Sequence, residues 1–188
     1  MAGETLAVFG GSFNPPHVSH ALACLWVLET QDVTGVAVVP CFRHAFEKTL
    51  APFEDRLEMA RLAMAPLGDR VIIDDVERDL DDGRPSWTLT TLQALAKRNP
   101  GVKLRLIIGS DILPDREKWY RWPDIETLAP PIVVARAGYP LPDGMGPMPA
   151  IPAVSSTEIR ELYAAGRDPG SLVSRRVGAY IREKGLYR

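Results

Sequence analysis

Two histidines three residues apart, His17 and His20, follow a glycine pair in the run Gly10-Gly11-Ser12-Phe13-Asn14-Pro15-Pro16-His17-Val18-Ser19-His20. On a helix that spacing puts both imidazoles on one face, where they can point at the same ligand. An imidazole offers hydrogen-bond donors and, when protonated, positive charge, and both suit a phosphate. Paired glycines let the backbone approach an anion with no Cβ in the way. Farther along, Ser155-Ser156-Thr157 with Arg160 one turn later sets three hydroxyls and a guanidinium at a second helix start. Hydroxyls, helix-start N–H groups and Arg160 would together hold the non-bridging oxygens of a triphosphate. Each cluster also has a plainer explanation: the first as a tight turn before a helix, the second as a capping box of Ser155 with Glu158. Cap and cradle are compatible, since one hydroxyl can serve the backbone while the others face outward. The first cluster is neither a P-loop, for no Gly-Lys-Ser/Thr follows, nor a G-x-G-x-x-G dinucleotide fingerprint.

The elements that must position these residues alternate along the chain. Apolar runs at Thr5–Phe9, Val36–Val39, Val71–Ile73, Leu104–Ile108 and Ile132–Ala135 read as strands. Helices are expected at His17–Glu29, Pro52–Ala65, Thr88–Lys97, Pro123–Leu128, Ser156–Ala165 and Val173–Lys184. Pro52 and Pro123 suit first-turn positions, and Asn99-Pro100-Gly101 is a helix stop. Strands that are apolar throughout and separated by helices predict an α/β fold, a Rossmann-like, doubly wound parallel sheet covered on both faces. In such a sheet ligands sit at the carboxyl ends of the strands, near the switch in strand order. Gly10, Gly109-Ser110-Asp111 and Arg136 all fall at such ends. Residues 138–152 hold five prolines and three glycines and read as an exposed loop before a C-terminal helical segment, about 154–188. The whole of 1–188 is expected to be a single domain.

Composition narrows the class. At 46% hydrophobic and 24% charged the chain is globular. Its net charge of −2 leaves no global basic field, so nucleic acid is not an expected partner. No apolar run is long enough for a membrane span and no leader pattern is present, so no membrane partner is expected. Two cysteines, Cys24 and Cys41, lack metal-ligand spacing and argue against a disulfide framework, which predicts a reduced, cytoplasmic setting. Oligomeric state is not readable from the sequence.

The two clusters, in order, resemble the H-x-G-H and I-S-S-T-x-I-R signatures of the nucleotidyltransferase superfamily. Further runs are similar to its bacterial nicotinate mononucleotide adenylyltransferase branch. They are Ser86-Trp87-Thr88-x-x-Thr91-Leu92, Gly109-Ser110-Asp111, Lys118-Trp119-x-x-Trp122, Arg136-Ala137-Gly138-Tyr139 and Val177-x-x-Tyr180-Ile181-x-x-x-Gly185-Leu186-Tyr187. The resemblance spans nearly the whole chain. It implies adenylyl transfer from ATP to nicotinate mononucleotide, giving deamido-NAD and pyrophosphate in NAD biosynthesis. Mg2+ is then held mainly by the ATP phosphates, with no metal ligand from the protein. It implies His17, His20 and Arg160 as catalytic contacts to the phosphates, within an ATP site of Gly10, Gly11, Ser12, Phe13, Asp111, Ser155, Ser156 and Thr157. On the acceptor side it implies Trp119 stacked on the pyridine ring, backbone around Thr88 reading its carboxylate, and Arg136 on its phosphate. Lys48 or His44 would serve from the loop after the second strand.

The chain departs from the family pattern in places. Ser19 stands where the histidine motif has glycine, Trp87 replaces tyrosine, and Ser174 stands where the last helix usually opens with proline. A Ser19 side chain would either crowd the nucleotide or donate one more hydrogen bond. Alternative expectations are a different acceptor (nicotinamide mononucleotide or phosphopantetheine), CTP as donor, or a nucleotide sensor without catalysis.

Overall fold

The five apolar runs become one parallel sheet: β1 (Thr5–Gly11), β2 (Gly35–Pro40), β3 (Val71–Ile73), β4 (Lys103–Gly109) and β5 (Pro131–Val134). A computed structural model describes residues 3–43, 50–139, 141 and 149–188. Helices α1 (Val18–Thr30), α2 (Phe53–Met64), α3 (Val76–Asp79), α4 (Thr88–Arg98), α5 (Trp122–Leu128), α6 (Ser156–Ala164) and α7 (Arg175–Lys184) complete the order. The six expected helices are all present, with ends within two residues of those predicted. The short α3 and the 3-10 stretch Ser110–Lys118 were not predicted. That stretch carries Pro114 inside it and lacks an apolar helical period, so its sequence reads as loop.

Side-chain alternation explains why the strands are apolar throughout. Val8, Ala37, Val39, Leu106 and Ile108 point to one face, where Leu89, Leu92 and Leu95 of α4 and Ile125 of α5 cover them. Ala7, Val36, Val38, Ile107 and Ile132 point to the other, under Ala23, Cys24 and Val27 of α1 and Ala60 and Met64 of α2. Successive residues thus fill two cores, as a sheet buried on both faces requires. A third cluster joins Met59 and Ala63 of α2 to Ile159 of α6 and Val177 and Ile181 of α7, which docks the C-terminal helices.

Strand order is β3-β2-β1-β4-β5. The chain winds outward from β1 to β3, then returns to the other side of β1 as β4. The order therefore reverses between β1 and β4, and the strand ends there part to leave a crevice.

Candidate active site

Above the carboxyl ends of β1 and β4 lies a cleft of about 240 Å³, walled in part by Gly10, His17, His20, Asp111, Trp119 and Arg136. A second recess of about 210 Å³ shares His17, His20 and Arg136 and runs on to Ser12, Ser156 and Arg160. The two clusters far apart in sequence therefore face one continuous opening.

Local structure fixes the histidines before any ligand arrives. His17 is the N-cap of α1 and His20 lies in its first turn. The His17 backbone N–H donates to His20 Nδ1 at 3.0 Å. Accepting there, Nδ1 of a neutral His20 carries no proton, so its Nε2 is the N–H donor. The two rings stack at 3.7 Å between centroids. Beneath them Phe13 is buried, its ring 4.9 Å from His20 and edge-on to Phe9 at 5.6 Å. Phe13 holds φ 45, a left-handed conformation that a bulky side chain adopts only when its surroundings impose it. A Cβ at Gly11 would lie 3.3 Å from that ring, so the second glycine makes room for Phe13. Gly10 has open space where its Cβ would be, on the cleft side.

Burial, with the nearby Arg136 charge, pushes His17 down to about 4. Burial, then His17 and Arg136, holds His20 well below the usual histidine range. Both are therefore neutral donors near neutral pH. A bound polyanion would favour the imidazolium forms.

Arg136 donates to Asp111 Oδ2 at 3.0 Å, while Asp111 Oδ1 is buried without a hydrogen-bond partner among the described residues. A Cβ at Gly109 would meet that oxygen, so a larger residue there would displace the Asp111 carboxylate. The buried Ser110 hydroxyl accepts from the Arg136 N–H and donates to Tyr139 O, both at 3.0 Å, tying the ends of β4 and β5. The Ser19 hydroxyl donates to Pro152 O at 2.8 Å. That proton is thus given to the chain itself.

On the α6 side the hydroxyls are more committed than expected. Ser155 accepts from the Thr157 N–H, Ser156 donates to Pro15 O at 2.9 Å, and Thr157 accepts from Arg160. The cap is present, but it runs to Thr157, and no return bond from Glu158 joins it among the described residues. Ser156 gives its proton to the loop that leads to His17, whereas Thr157 is exposed. Arg160 also donates to Asn14 O at 2.8 Å, so α6 and the glycine turn are joined twice.

Of the residues expected on the acceptor side, Trp119 and Arg136 share the main cleft with the histidines. Thr88 opens α4 and lies beside Trp87, whose ring is 5.5 Å from that of Tyr120 at the rim of a neighbouring hollow. Lys48 and His44 lie outside the described residues. Sequence reasoning missed Arg56, and quoted Asn14 and Tyr187 only as motif members without a role. Arg56 sits on the buried face of α2 with Ala60 and Ala63, so a charge at a core position of the helical period was the available signal. Asn14 Oδ1 accepts from the Ala51 N–H and from the Tyr187 hydroxyl at 2.8 Å.

Among the described residues no group of three His, Cys, Asp or Glu side chains converges to hold a metal. Burial raises the thiols of Cys24 to about 12 and Cys41 to about 11, so neither is a nucleophile at neutral pH. The site offers hydrogen-bond donors and cations suited to an anion.

Residues 8–162 match the cytidylyltransferase-like family. The chain belongs to that family. A probable nicotinate-nucleotide adenylyltransferase of Anaeromyxobacter sp. (strain K) is 49% identical, over 99% of this chain and 98% of its own. The equivalently named proteins of Myxococcus xanthus and Thermus thermophilus are 42% and 35% identical, each over 97% of this chain. Among solved structures, a Plasmodium falciparum nicotinic acid mononucleotide adenylyltransferase complexed with NaAD matches with TM-score 0.82 at 18% identity, covering 98% of this chain and 97% of that one. This family member thus shares the Rossmann-like architecture expected of it, and the resemblance carried by its motifs holds over its length.

Proposed function

We propose that this chain transfers the adenylyl group of ATP to nicotinate mononucleotide, releasing pyrophosphate. The observation that carries the reading is the pair His17–His20 and the Arg160 helix meeting over one cleft at the strand-order switch. The names of the full-length relatives support the choice of substrates. An oxygen of the acceptor's phosphate attacks the α-phosphorus of ATP. The new P–O bond forms as the bond to the oxygen bridging the β-phosphate breaks, and pyrophosphate leaves with that electron pair. The attacking oxygen is already ionised, so no general base or protein nucleophile is needed. Acceleration comes from aligning two anions and from donors placed where charge builds on the α-phosphate and leaving group.

In this reading His17 and His20 contact the triphosphate near the scissile bond, and Ser155, Ser156, Thr157 and Arg160 hold its tail. Gly10, Gly11, Ser12 and Phe13 form the floor. Asp111 lies toward the nucleoside, while Trp119, Arg136, Thr88 and Lys48 serve the acceptor. The phosphate recess is lined by Ser12, Ser156 and Arg160 and, among the described residues, by no carboxylate. Mg2+ would enter as part of the donor, held by its phosphate oxygens, and would supply charge neutralisation to the leaving group. The two free cysteines suit a cytoplasmic setting.

The test is pyrophosphate release from ATP and Mg2+, with nicotinate and nicotinamide mononucleotides run side by side and CTP as a donor control. Release with ATP that is faster for the acid acceptor is the expected outcome. Preference for the amide, or for CTP, replaces the substrate assignment, and release with neither acceptor overturns it.

A further inference from the structure

Arg56 is 2% exposed, yet it forms no ion pair among the described residues. Its hydrogen bonds go to backbone carbonyls. Nε donates to Ala51 O at 3.0 Å, and Nη1 donates to Ser12 O at 3.0 Å and Cys41 O at 2.7 Å. Those carbonyls belong to three separate segments: the turn after β1, the end of β2 and the entry to α2. The guanidinium also lies 5.3 Å from the Phe53 ring centroid. Glu77, whose charge acts on Arg56, is engaged elsewhere, accepting from the Phe42 N–H and the Thr91 hydroxyl at 2.8 Å each.

Burying a charge without a counter-charge is costly, and a neutral core residue of similar volume avoids that cost. What a neutral residue lacks is the planar fork of five donors in fixed directions. Three carbonyl oxygens converging on one point repel one another unless such a fork separates them. Ser12 lines the phosphate recess, and its carbonyl is drawn inward to Arg56. Because a trans peptide sets C=O and N–H antiparallel, the Phe13 N–H is turned away from Arg56. The same guanidinium holds Ala51 O while Asn14 Oδ1 takes the Ala51 N–H at 3.1 Å. Asn14 O in turn receives Arg160. One buried side chain thus fixes the glycine turn, the floor under the histidines and, through Asn14, the position of Arg160.

We propose that Arg56 is a positioning residue for the nucleotide donor: its guanidinium, by gathering Ser12, Cys41 and Ala51, sets the phosphate-facing turn in its binding shape. This rests on the nucleotide reading of the site. Arg56 touches no substrate, so its effect reaches the reaction through the turn.

The experiment uses the full chain with Arg56→Lys, which keeps the charge but cannot span three segments from one nitrogen. Expected are a cooperative melt, a KM for MgATP raised about tenfold or more, and a KM for nicotinate mononucleotide within about threefold of the parent, given one to two lost charge-assisted hydrogen bonds. Equal rises for both substrates, or none, overturn the proposal, because a merely structural residue does not separate them. If the lysine variant does not fold, 15N spectra of the parent decide. The Arg56 Nε–H signal is expected to shift on adding MgATP and to stay in place on adding nicotinate mononucleotide alone; no shift with MgATP overturns the assignment. Calorimetric titration with MgATP separates the two readings. A parent that binds no ATP sinks the nucleotide site itself. A variant that binds ATP as tightly as the parent sinks only the role of Arg56.

Discussion

At the histidine end of the cleft His17 is buried, His20 accepts from backbone, Ser156 is bonded to Pro15 and Arg160 to Asn14. In the neighbouring hollow, the aromatic end, Trp87 is 40% exposed and Tyr120 51%, their rings 5.5 Å apart. The first region is organised before a ligand arrives; the second offers flat surfaces that a planar ring can join. Donors that stabilise charge in a transition state gain most from being fixed in advance, because no reorganisation is then needed during the reaction. Recognition of a ring needs area more than fixed donors, so exposed aromatics suffice. We propose from this difference that chemistry belongs to the histidine end and selectivity to the aromatic end.

His20→Ala tests the first half of that division and carries the largest expected effect. Removing a preorganised donor is expected to lower kcat about 100-fold or more, with an unchanged circular dichroism spectrum. A folded variant with near-parent turnover would move the chemistry away from this end. Trp119→Ala tests the second half. Losing a stacking platform is expected to raise the acceptor KM about fivefold or more while the ATP KM changes little. Its ring is edge-on to Trp122 at 5.8 Å, so a structural role is the alternative, and equal effects on both KM values would establish it.

The same contrast governs what the sequence reveals. The strands were legible because each apolar run is short and punctuated, and the phosphate clusters because helix starts and glycine turns act through backbone within a few residues. The supports were not legible. Arg56 reaches a carbonyl 44 residues away, Ser19 one 133 away and Tyr187 a side chain 173 away, and no local pattern encodes such a partner. Ser19 shows the limit well. The departure from glycine is visible in the sequence, but only the fold shows that the hydroxyl's acceptor is Pro152. The α6 hydroxyls teach the converse. Their residue types suggested open donors, whereas a tertiary contact to Pro15 O takes the Ser156 proton and Thr157 accepts from Arg160 within the same helix.

The smallest expected effect sharpens the claim that the histidine end is preorganised in neutral form. His17 titrates at about 4 in the folded chain against an ordinary value of 6.5. Between those values the unfolded chain holds a proton on this side chain that the folded chain does not, so stability falls as pH drops from 6.5 toward 4. Above 6.5 the contribution is complete, and below 4 both states are protonated and the loss is finished. From pH 7 to pH 5 this one group is expected to cost about 2 kcal/mol, or about 4–8 °C in melting temperature for a chain of this size. His20 adds in the same direction, since its range is lowered by the same burial. Melting the parent and His17→Gln across pH 7 to 5 should show a shallower fall in the variant, because glutamine has no proton to gain on unfolding. MgATP in excess should flatten the parent's curve as well, since a bound triphosphate favours the imidazolium and narrows the gap between folded and unfolded values. Parallel curves for parent and variant would mean that His17 titrates alike in the folded and unfolded chain, and burial would then not be what holds this end of the site neutral.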